Sequence, residues 1–151
     1  MIRAFEKNDL AAVMKIWLDT NIKAHDFIPK KYWSDNYETV KGALPQAEVY
    51  VYEDNATNQI AGFIGLSNNH IEGIFVREDA QSHGIGKQLL DYVKRVKPNM
   101  SLCVYKDNTR AIRFYQRELF VIQSESIDEN TNQKEYAMAW KKISRLQAKY
   151  T

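Results

Sequence analysis

The chain has 151 residues, of which 44% are hydrophobic and 26% are charged. This length suits one domain with a single buried core. The 21 basic residues nearly balance the 19 acidic ones, and a net charge of +2 does not by itself indicate binding to nucleic acid or a membrane. Because no segment approaches the roughly 18 apolar residues of a membrane span, we expect a cytoplasmic protein with neither kind of partner.

The single cysteine, Cys103, cannot form a disulfide within the chain, which fits a reducing compartment. Its apolar neighbours Leu102 and Val104 predict a buried strand rather than an activated thiol. The three histidines do not have the spacing of a metal site, so no metal is expected.

The first third of the chain predicts a short strand over Ile2–Phe5 and two helices. Asn8 is a typical N-cap residue for the first helix, and Pro29 suits the opening of the second, which Pro45 ends. In both helices, mostly apolar residues recur at the spacing that places them on one helical face. These faces hold Leu10, Val13, Met14, Trp17 and Asn21 in the first helix, and Trp33, Tyr37, Val40 and Leu44 in the second.

The middle of the chain predicts a hairpin followed by a strand–loop–helix unit. Strands Glu48–Glu53 and Ile60–Leu66 flank a polar turn and should pair antiparallel. A third strand, Ile71–Val76, leads through a polar loop into a helix that Pro98 ends. The apolar face of this helix is expected to hold Ile85, Leu89, Val93 and Val96.

The last third predicts a strand over Ser101–Tyr105, a helix capped by Asn108 and reaching about Glu118, and two strands. The first of these strands spans Phe120–Ile127, and the second carries Tyr136, Met138 and Trp140 on one face. This order predicts an α/β fold with helices on both faces of a mixed sheet, in which the strands around residues 71–76 and 101–105 run parallel.

A glycine-containing loop enters the helix that follows the third central strand. Gly84 and Gly86 allow close approach of a ligand, and free N–H groups in the first helical turn favour an anion such as a pyrophosphate. A simple tight turn is the alternative. A dinucleotide loop would need glycine in place of Leu89, and a Walker A loop would need serine or threonine in place of Gln88.

The chain resembles the GNAT superfamily of N-acetyltransferases in three elements that occur in the family's order. Gln81, Gly84 and Gly86 match its loop Gln/Arg-x-x-Gly-x-Gly/Ala, the strand Ile71–Val76 precedes this loop, and Asn108–Tyr115 matches Asn-x-x-Ala-x-x-Phe-Tyr. The resemblance implies a mixed, mostly antiparallel twisted sheet in one domain over residues 1–142. A short basic tail, residues 143–151, would follow.

Within the superfamily the chain is similar to small bacterial members, some of which acetylate proteins. Ile16-Trp17, His25-Asp26-Phe27 and Tyr32-Trp33 carry this similarity. Two positions depart from the family pattern. Glu78 stands where proline is frequent, and Leu119 stands where glycine often ends the helix in a left-handed conformation, which is costly for leucine.

The resemblance implies direct transfer of the acetyl group of acetyl-CoA to a primary amine, on either a small molecule or a protein. The alternative is an acetyl-CoA-binding regulator with weak catalysis, and the chain is expected to be a monomer or a homodimer. Acyl transfer through Cys103 is disfavoured. The residues implied in cofactor binding are Phe75, Val76, Gln81, Ser82, His83, Gly84, Ile85, Gly86, Lys87, Asn108, Ala111 and Phe114.

By the same resemblance, Tyr115 would be the general acid, with Phe114 toward the core and Tyr115 toward the cofactor. Glu72 is the candidate general base, because strand geometry would place it on one face with His70, Ile74 and Val76. A structural tyrosine and a solvent-facing strand carboxylate are the alternatives. The acceptor would contact His25, Asp26 and Trp33, although a simple turn and a core tryptophan explain these residues equally well.

Overall fold

The structure, a computed structural model, describes residues 1–143, so the expected tail lies outside it apart from Ile143. Within these residues, four α-helices and seven strands follow one another in the predicted order, which is confirmed. Their bounds are β1 Ile2–Ala4, α1 Leu10–Ala24, α2 Lys30–Ala43, β2 Glu48–Glu53, β3 Ile60–Ser67, β4 His70–Val76, α3 Ile85–Lys94, β5 Asn99–Tyr105, α4 Thr109–Arg117, β6 Val121–Asp128 and β7 Gln133–Lys141.

The seven strands form one sheet in the order β1-β2-β3-β4-β5-β7-β6. Neighbouring strands pair antiparallel except β4 and β5, which are parallel as predicted. This mixed, mostly antiparallel sheet has an apolar cluster on each face. Leu89 of α3 and Ile112 of α4 belong to one cluster, and Trp17 of α1 and Trp33 of α2 belong to the other. Helices therefore cover both faces, as expected.

The N-terminal end of α1 differs from the prediction that Asn8 caps it. A short 3₁₀ turn, Lys7–Asp9, precedes the helix, and the backbone N–H of Glu6 donates to Asp9 Oδ2 at 2.8 Å. Asp9 is buried and accepts two hydrogen bonds from the guanidinium of Arg3, at 2.8 and 2.9 Å. Arg3 also donates to Glu53 at 2.9 Å, so this network joins β1, α1 and β2.

The C-terminal end of α4 forms a Schellman motif on a non-glycine residue. Leu119 has a φ of 72°, its N–H donates to the carbonyl of Gln116, and the N–H of Phe120 donates to the carbonyl of Tyr115 at 2.9 Å. The rings of Tyr115 and Phe120 pack at 5.7 Å, which is the apolar contact usual for this motif. Leu119 therefore adopts the left-handed conformation that is costly for leucine.

We expect Leu119→Gly to raise the free energy of unfolding by about 0.5–1 kcal/mol, because glycine removes the left-handed strain. The leucine side chain is 66% exposed, so little packing is lost. Urea unfolding followed by circular dichroism measures the change. Leu119→Ala is the control, since alanine keeps the strain, and equal stability of the two variants would contradict the prediction.

Two further sequence predictions are wrong in detail. Cys103 lies in β5 as predicted, but it is exposed, because the alternation that buries Leu102 and Val104 turns it to the opposite face. Val96 lies beyond the end of α3 and is 60% exposed, so it is not part of the buried face of that helix.

Candidate active site

Strands β4 and β5 separate soon after they meet. Their parallel pairing covers only His70 with Ser101 and Ile71 with Leu102, so the rest of β4 has no strand partner on that side. A cleft of about 690 Å³ opens beside the unpaired end of β4, bordered by α1, α4 and the loop before α3. The parallel pair is thus the vertex of a V-shaped opening in the sheet.

The backbone of β4 turns different residues toward this opening than the sequence suggested. Arg77 N–H donates to the carbonyl of Ala61 at 2.8 Å, and antiparallel pairs alternate between bonded and non-bonded positions. Phe75 is therefore at a bonded position opposite Phe63, whereas Ile74 and Val76 direct their N–H groups away from β3. The backbone groups of Phe75 thus face β3 rather than the opening, and the predicted contact of Phe75 with a ligand stays a prediction, with Ile74 beside Val76 as the better-oriented backbone.

A β-bulge changes the faces of β4 at Glu72. Leu66 pairs with Ile71 and Gly65 with Gly73, which leaves Glu72 without a partner residue on β3. The predicted common face of Glu72 and Ile74 is therefore wrong, since Ile71 and Ile74 lie in the same cluster. Glu72 is exposed on the opposite face, directly after the last pair of the V, and it does not line the cleft.

The loop before α3 has the backbone of an anion site. Gly84, at the N-cap of the ten-residue α3, has a φ of 81°, and Ser82 has a φ of 66°. Successive residues in such conformations direct N–H groups into one concavity, and the helix dipole adds positive potential there. A Cβ on Gly86 would lie 3.6 Å from the ring of Phe114, so the absent side chain keeps space open between the loop and α4.

Gln81 connects the three elements around this loop. Its Nε2 donates to the carbonyl of Val76 at 2.9 Å, and its Oε1 accepts from Arg110 Nη1 at 2.9 Å. Arg110 also donates to Ser82 Oγ at 3.3 Å. The side chain of Gln81 thereby fixes the end of β4 relative to the loop and the first turn of α4.

Asn108 caps α4, as predicted, and also contacts His25. Its Oδ1 accepts from the N–H of Ala111 at 3.3 Å, and its Nδ2 lies 3.2 Å from His25 Nε2. Because Oδ1 is used by the cap, Nδ2 must donate, and Nε2 must be an unprotonated acceptor. Burial lowers the pKa of His25, which favours this neutral form, and the Asn21 carbonyl opposes the shift in part.

Tyr115 is buried in the last turn of α4 and borders the cleft. Burial raises the pKa of its hydroxyl well above the usual value, so the phenol remains protonated at neutral pH. Phe114 is less buried than Tyr115, which reverses the predicted orientation of these two residues toward core and cleft. Both nevertheless border the cleft.

Most of the predicted cofactor residues meet in this cleft. Its lining includes thirteen of the predicted site residues: His25, Phe75, Val76, Gln81, Ser82, Gly84, Ile85, Gly86, Lys87, Asn108, Ala111, Phe114 and Tyr115. His83 is exposed, and its Nδ1 lies 2.8 Å from the carbonyl of Gln81. Asp26 is exposed outside the lining, whereas Trp33 is 7% exposed and stacks on His25 at 5.2 Å between ring centroids. Trp33 thus reaches the cleft only through His25.

A second group of side chains, which the sequence did not single out, lies on the face of the sheet that carries Glu72. Tyr105 is directly opposite Glu135 in the β5–β7 pair, with Cys103 two residues away on the same face. Tyr105 donates to Asp128 at 2.6 Å. Although the residue is exposed, partial desolvation of its sulfur raises the pKa of the Cys103 thiol, and the nearby Glu135 and Glu72 raise it further. This face is therefore acidic beside the vertex of the V.

These features fit the shape of coenzyme A. The free N–H groups of Ile74 and Val76 suit an extended amide-containing arm, and the left-handed Ser82 and Gly84 with the start of α3 suit a pyrophosphate.

No group of acidic, histidine and cysteine residues able to hold a metal occurs in residues 1–143. Within the same range no helix is long and apolar enough to cross a bilayer.

Within residues 1–143, the sheet opens between its one parallel pair of strands and an anion loop lies at the edge of this opening, an arrangement that suits the cosubstrate of an acyltransferase. Residues 10–119 match the model of the acetyltransferase (GNAT) family, and the chain belongs to this family. It is an N-acetyltransferase that uses acetyl-CoA, so the expectation of an enzyme is confirmed.

Particular relatives are similar over nearly the whole chain. The peptidyl-lysine N-acetyltransferase YiaC of Escherichia coli (strain K12) is 32% identical over 148 residues, which cover 97% of this chain and all of YiaC. The solution structure of apo YjaB from Escherichia coli has a TM-score of 0.82 at 24% identity, covering 93% of this chain and 96% of YjaB. The PaiA N-acetyltransferase of Thermoplasma acidophilum in complex with coenzyme A has a TM-score of 0.78 at 15% identity, covering 94% and 98%.

Proposed function

We propose that this enzyme acetylates the ε-amine of lysine residues in proteins or peptides. The observation that carries the proposal is the 32% identity to a peptidyl-lysine N-acetyltransferase over 97% of the chain. The acidic face formed by Glu72, Glu135 and Asp128 supports it, because carboxylates favour a cationic amine over a neutral or anionic acceptor.

In the proposed reaction, acetyl-CoA supplies an acetyl group activated as a thioester. Glu72, at the vertex of the V, removes a proton from the incoming ammonium, directly or through one water. The N–H of Val76 polarises the carbonyl that the amine attacks, since its N–H has no partner on β3. As the new C–N bond forms and the C–S bond breaks, Tyr115 gives its phenolic proton to the departing thiolate sulfur. The nitrogen loses its second proton, which restores the phenol of Tyr115, and Glu72 releases the first proton to solvent, so that the products are an amide, a neutral thiol and one proton.

His25 and Asn108 have positioning roles in this proposal. Asn108 holds the start of α4, the helix that carries Tyr115, and His25 fixes the orientation of the Asn108 amide. The imidazole of His25 packs edge-on against Tyr105 at 5.2 Å between ring centroids. The acidic face is thereby connected to the cofactor cleft through packed side chains.

A turnover assay across amine classes tests the acceptor. The purified protein is incubated with acetyl-CoA and one of four acceptors: a peptide with an internal lysine and blocked N-terminus, its lysine-free counterpart with a free N-terminus, spermidine, or free lysine. We expect thiol release and mass-detected acetylation to be greatest with the lysine peptide. Preferred turnover of any other member would overturn the proposed acceptor class and leave the N-acetyltransferase activity intact.

We expect Glu72→Gln to lower kcat/KM for the amine by about 10- to 100-fold, because the amide cannot accept the amine's proton. The Kd for acetyl-CoA should remain within about twofold, since Glu72 lies outside the cofactor cleft. Steady-state kinetics with the lysine peptide at neutral pH and calorimetry with acetyl-CoA provide the two measurements.

Glu135→Gln is the matched control, because Glu135 is another carboxylate of the same acidic face. Burial raises the pKa of Glu135, and the nearby Asp128 adds to this shift. We expect this variant to raise the KM of the amine and to leave kcat nearly unchanged. A kcat/KM within about twofold of the wild type in Glu72→Gln would remove Glu72 from the role of base.

A further inference from the structure

Three arginines follow one side of α4 along the cofactor cleft. Arg110, Arg113 and Arg117 are spaced by three and four residues, which places them on neighbouring turns of one helical face. All three border the cleft together with the anion loop. At a rise of 1.5 Å per residue, the stripe covers about 10 Å of α4.

None of these three arginines has an acidic partner within residues 1–143, and two of them have no side-chain hydrogen bond there either. Arg110 is held at the loop by Gln81 and Ser82, whereas Arg113 and Arg117 are exposed and form no salt bridge in that range. Like charges one helical turn apart disfavour a helix. An anion lying along the stripe would reverse this effect, so the unpaired guanidiniums indicate an anionic ligand.

Lys87 also borders the cleft, but unlike the arginines it has acidic partners. Lys87 pairs with Glu118 at 3.1 Å and with Asp91 at 3.2 Å. Its charge is therefore already compensated. The free positive charge at the cleft consequently belongs to α4, across the cleft from the loop backbone that suits a pyrophosphate.

We propose that Arg113 and Arg117 bind the phosphate on the ribose 3′ carbon of coenzyme A. The loop amides account for one pyrophosphate, and coenzyme A carries this third phosphate as a dianion at neutral pH. Guanidinium groups are suited to phosphate oxygens because their N–H groups can bond two oxygens at once. The pair thus distinguishes coenzyme A from its 3′-dephospho form.

Binding measurements with coenzyme A and 3′-dephospho-coenzyme A test this assignment. By titration calorimetry at about 0.1 M salt, the wild-type protein should bind coenzyme A about tenfold or more tightly than the dephospho form. The double variant R113Q/R117Q should bind both within about twofold of each other. Its affinity for the dephospho form should stay close to that of the wild type.

The double variant K30Q/R95Q is the matched control, because it removes two positive charges from exposed positions outside the cleft. It should retain the wild-type preference. Circular dichroism establishes that both variants are folded, and glutamine is a good helix former. Three results would overturn the proposal: no preference in the wild type, a preference kept by R113Q/R117Q, or an equal weakening of both ligands in that variant.

Discussion

Tyr115→Phe is expected to lower kcat by about 100- to 1000-fold while the Kd for acetyl-CoA stays within about twofold. Phenylalanine keeps the ring that packs against Phe120 at 5.7 Å, so the end of α4 is preserved. Only the hydroxyl is lost, and with it the proposed proton donor to the thiolate. Steady-state kinetics with the preferred amine and calorimetry with acetyl-CoA separate turnover from binding.

The pH dependence provides a second measurement on the same residue. Because burial raises the pKa of Tyr115, the phenol should remain a proton donor up to and beyond its ordinary pKa of about 10. The kcat of the wild type should therefore show no loss from Tyr115 ionisation between about pH 7 and 10. A fall of kcat in that interval that disappears in Tyr115→Phe would contradict this assignment.

Tyr37→Phe is the matched control for the tyrosine substitution. Tyr37 is a half-buried tyrosine of α2 that packs against Trp17 at 6.5 Å and does not border the cofactor cleft. We expect its turnover to stay within about twofold of the wild type. If Tyr115→Phe also remained within twofold, the role of general acid would have to pass to another group.

The sequence was sufficient to predict the order of the elements because each has a strong local pattern. The alternation in Glu48–Glu53 and the cap at Asn108 both correspond to observed features, a strand with the same bounds and a side chain bonded to Ala111. The anion loop was predictable for the same reason. Its glycine at 84 adopts the positive φ for which glycine is suited.

The errors in β4 concern features that depend on strand pairing rather than on local pattern. A bulge at Glu72 changes the face of every later residue in β4, and the isolated Gly73 beside it is a signal for a bulge that the period-two prediction did not use. The same holds for Phe75 and Ile74, whose hydrogen-bonding directions are set by register with β3. Period-two reasoning therefore predicted the strand correctly and placed its side chains on the wrong faces.

The acidic face escaped prediction because its members come from separate strands. Glu135 and Asp128 are far from Glu72 in sequence, and only the position of β7 beside β5 brings them near Cys103. The arginines of α4 did have a signal, since their spacing is visible in the sequence. What the sequence did not show is that this side of the helix borders the cleft.

The largest effect on stability is expected from Asp9→Asn, which should lower the free energy of unfolding by about 2–3 kcal/mol. The substitution leaves the shape of residue 9 unchanged but removes the charge that faces Arg3. The side chain of Asp9 is 9% exposed and that of Arg3 is 23% exposed, so water screens this pair little. Thermal unfolding should show a Tm lower by about 5–10 °C.

The acid dependence distinguishes the ion pair from a simple loss of packing. Hydrogen bonds from Arg3 lower the pKa of Asp9 in the folded protein. A carboxyl group with a lowered folded pKa stabilises the protein above its unfolded pKa and loses this contribution as the pH falls. The stability difference between wild type and Asp9→Asn should therefore be constant near neutral pH and shrink below about pH 4.

Asp19→Asn provides the comparison for Asp9→Asn, because Asp19 lies in α1, the helix that Asp9 precedes, and pairs with Lys15 at 2.6 Å. Its side chain is 57% exposed and that of Lys15 is 77% exposed, so solvent screening should limit the loss to within about 0.5 kcal/mol. Equal Tm values for the two variants would contradict the expectation that the buried Asp9–Arg3 pair stabilises the fold more than the exposed Asp19–Lys15 pair. A difference for Asp9→Asn that persisted unchanged to about pH 2 would show that packing, rather than the charge of Asp9, stabilises the junction of β1, α1 and β2.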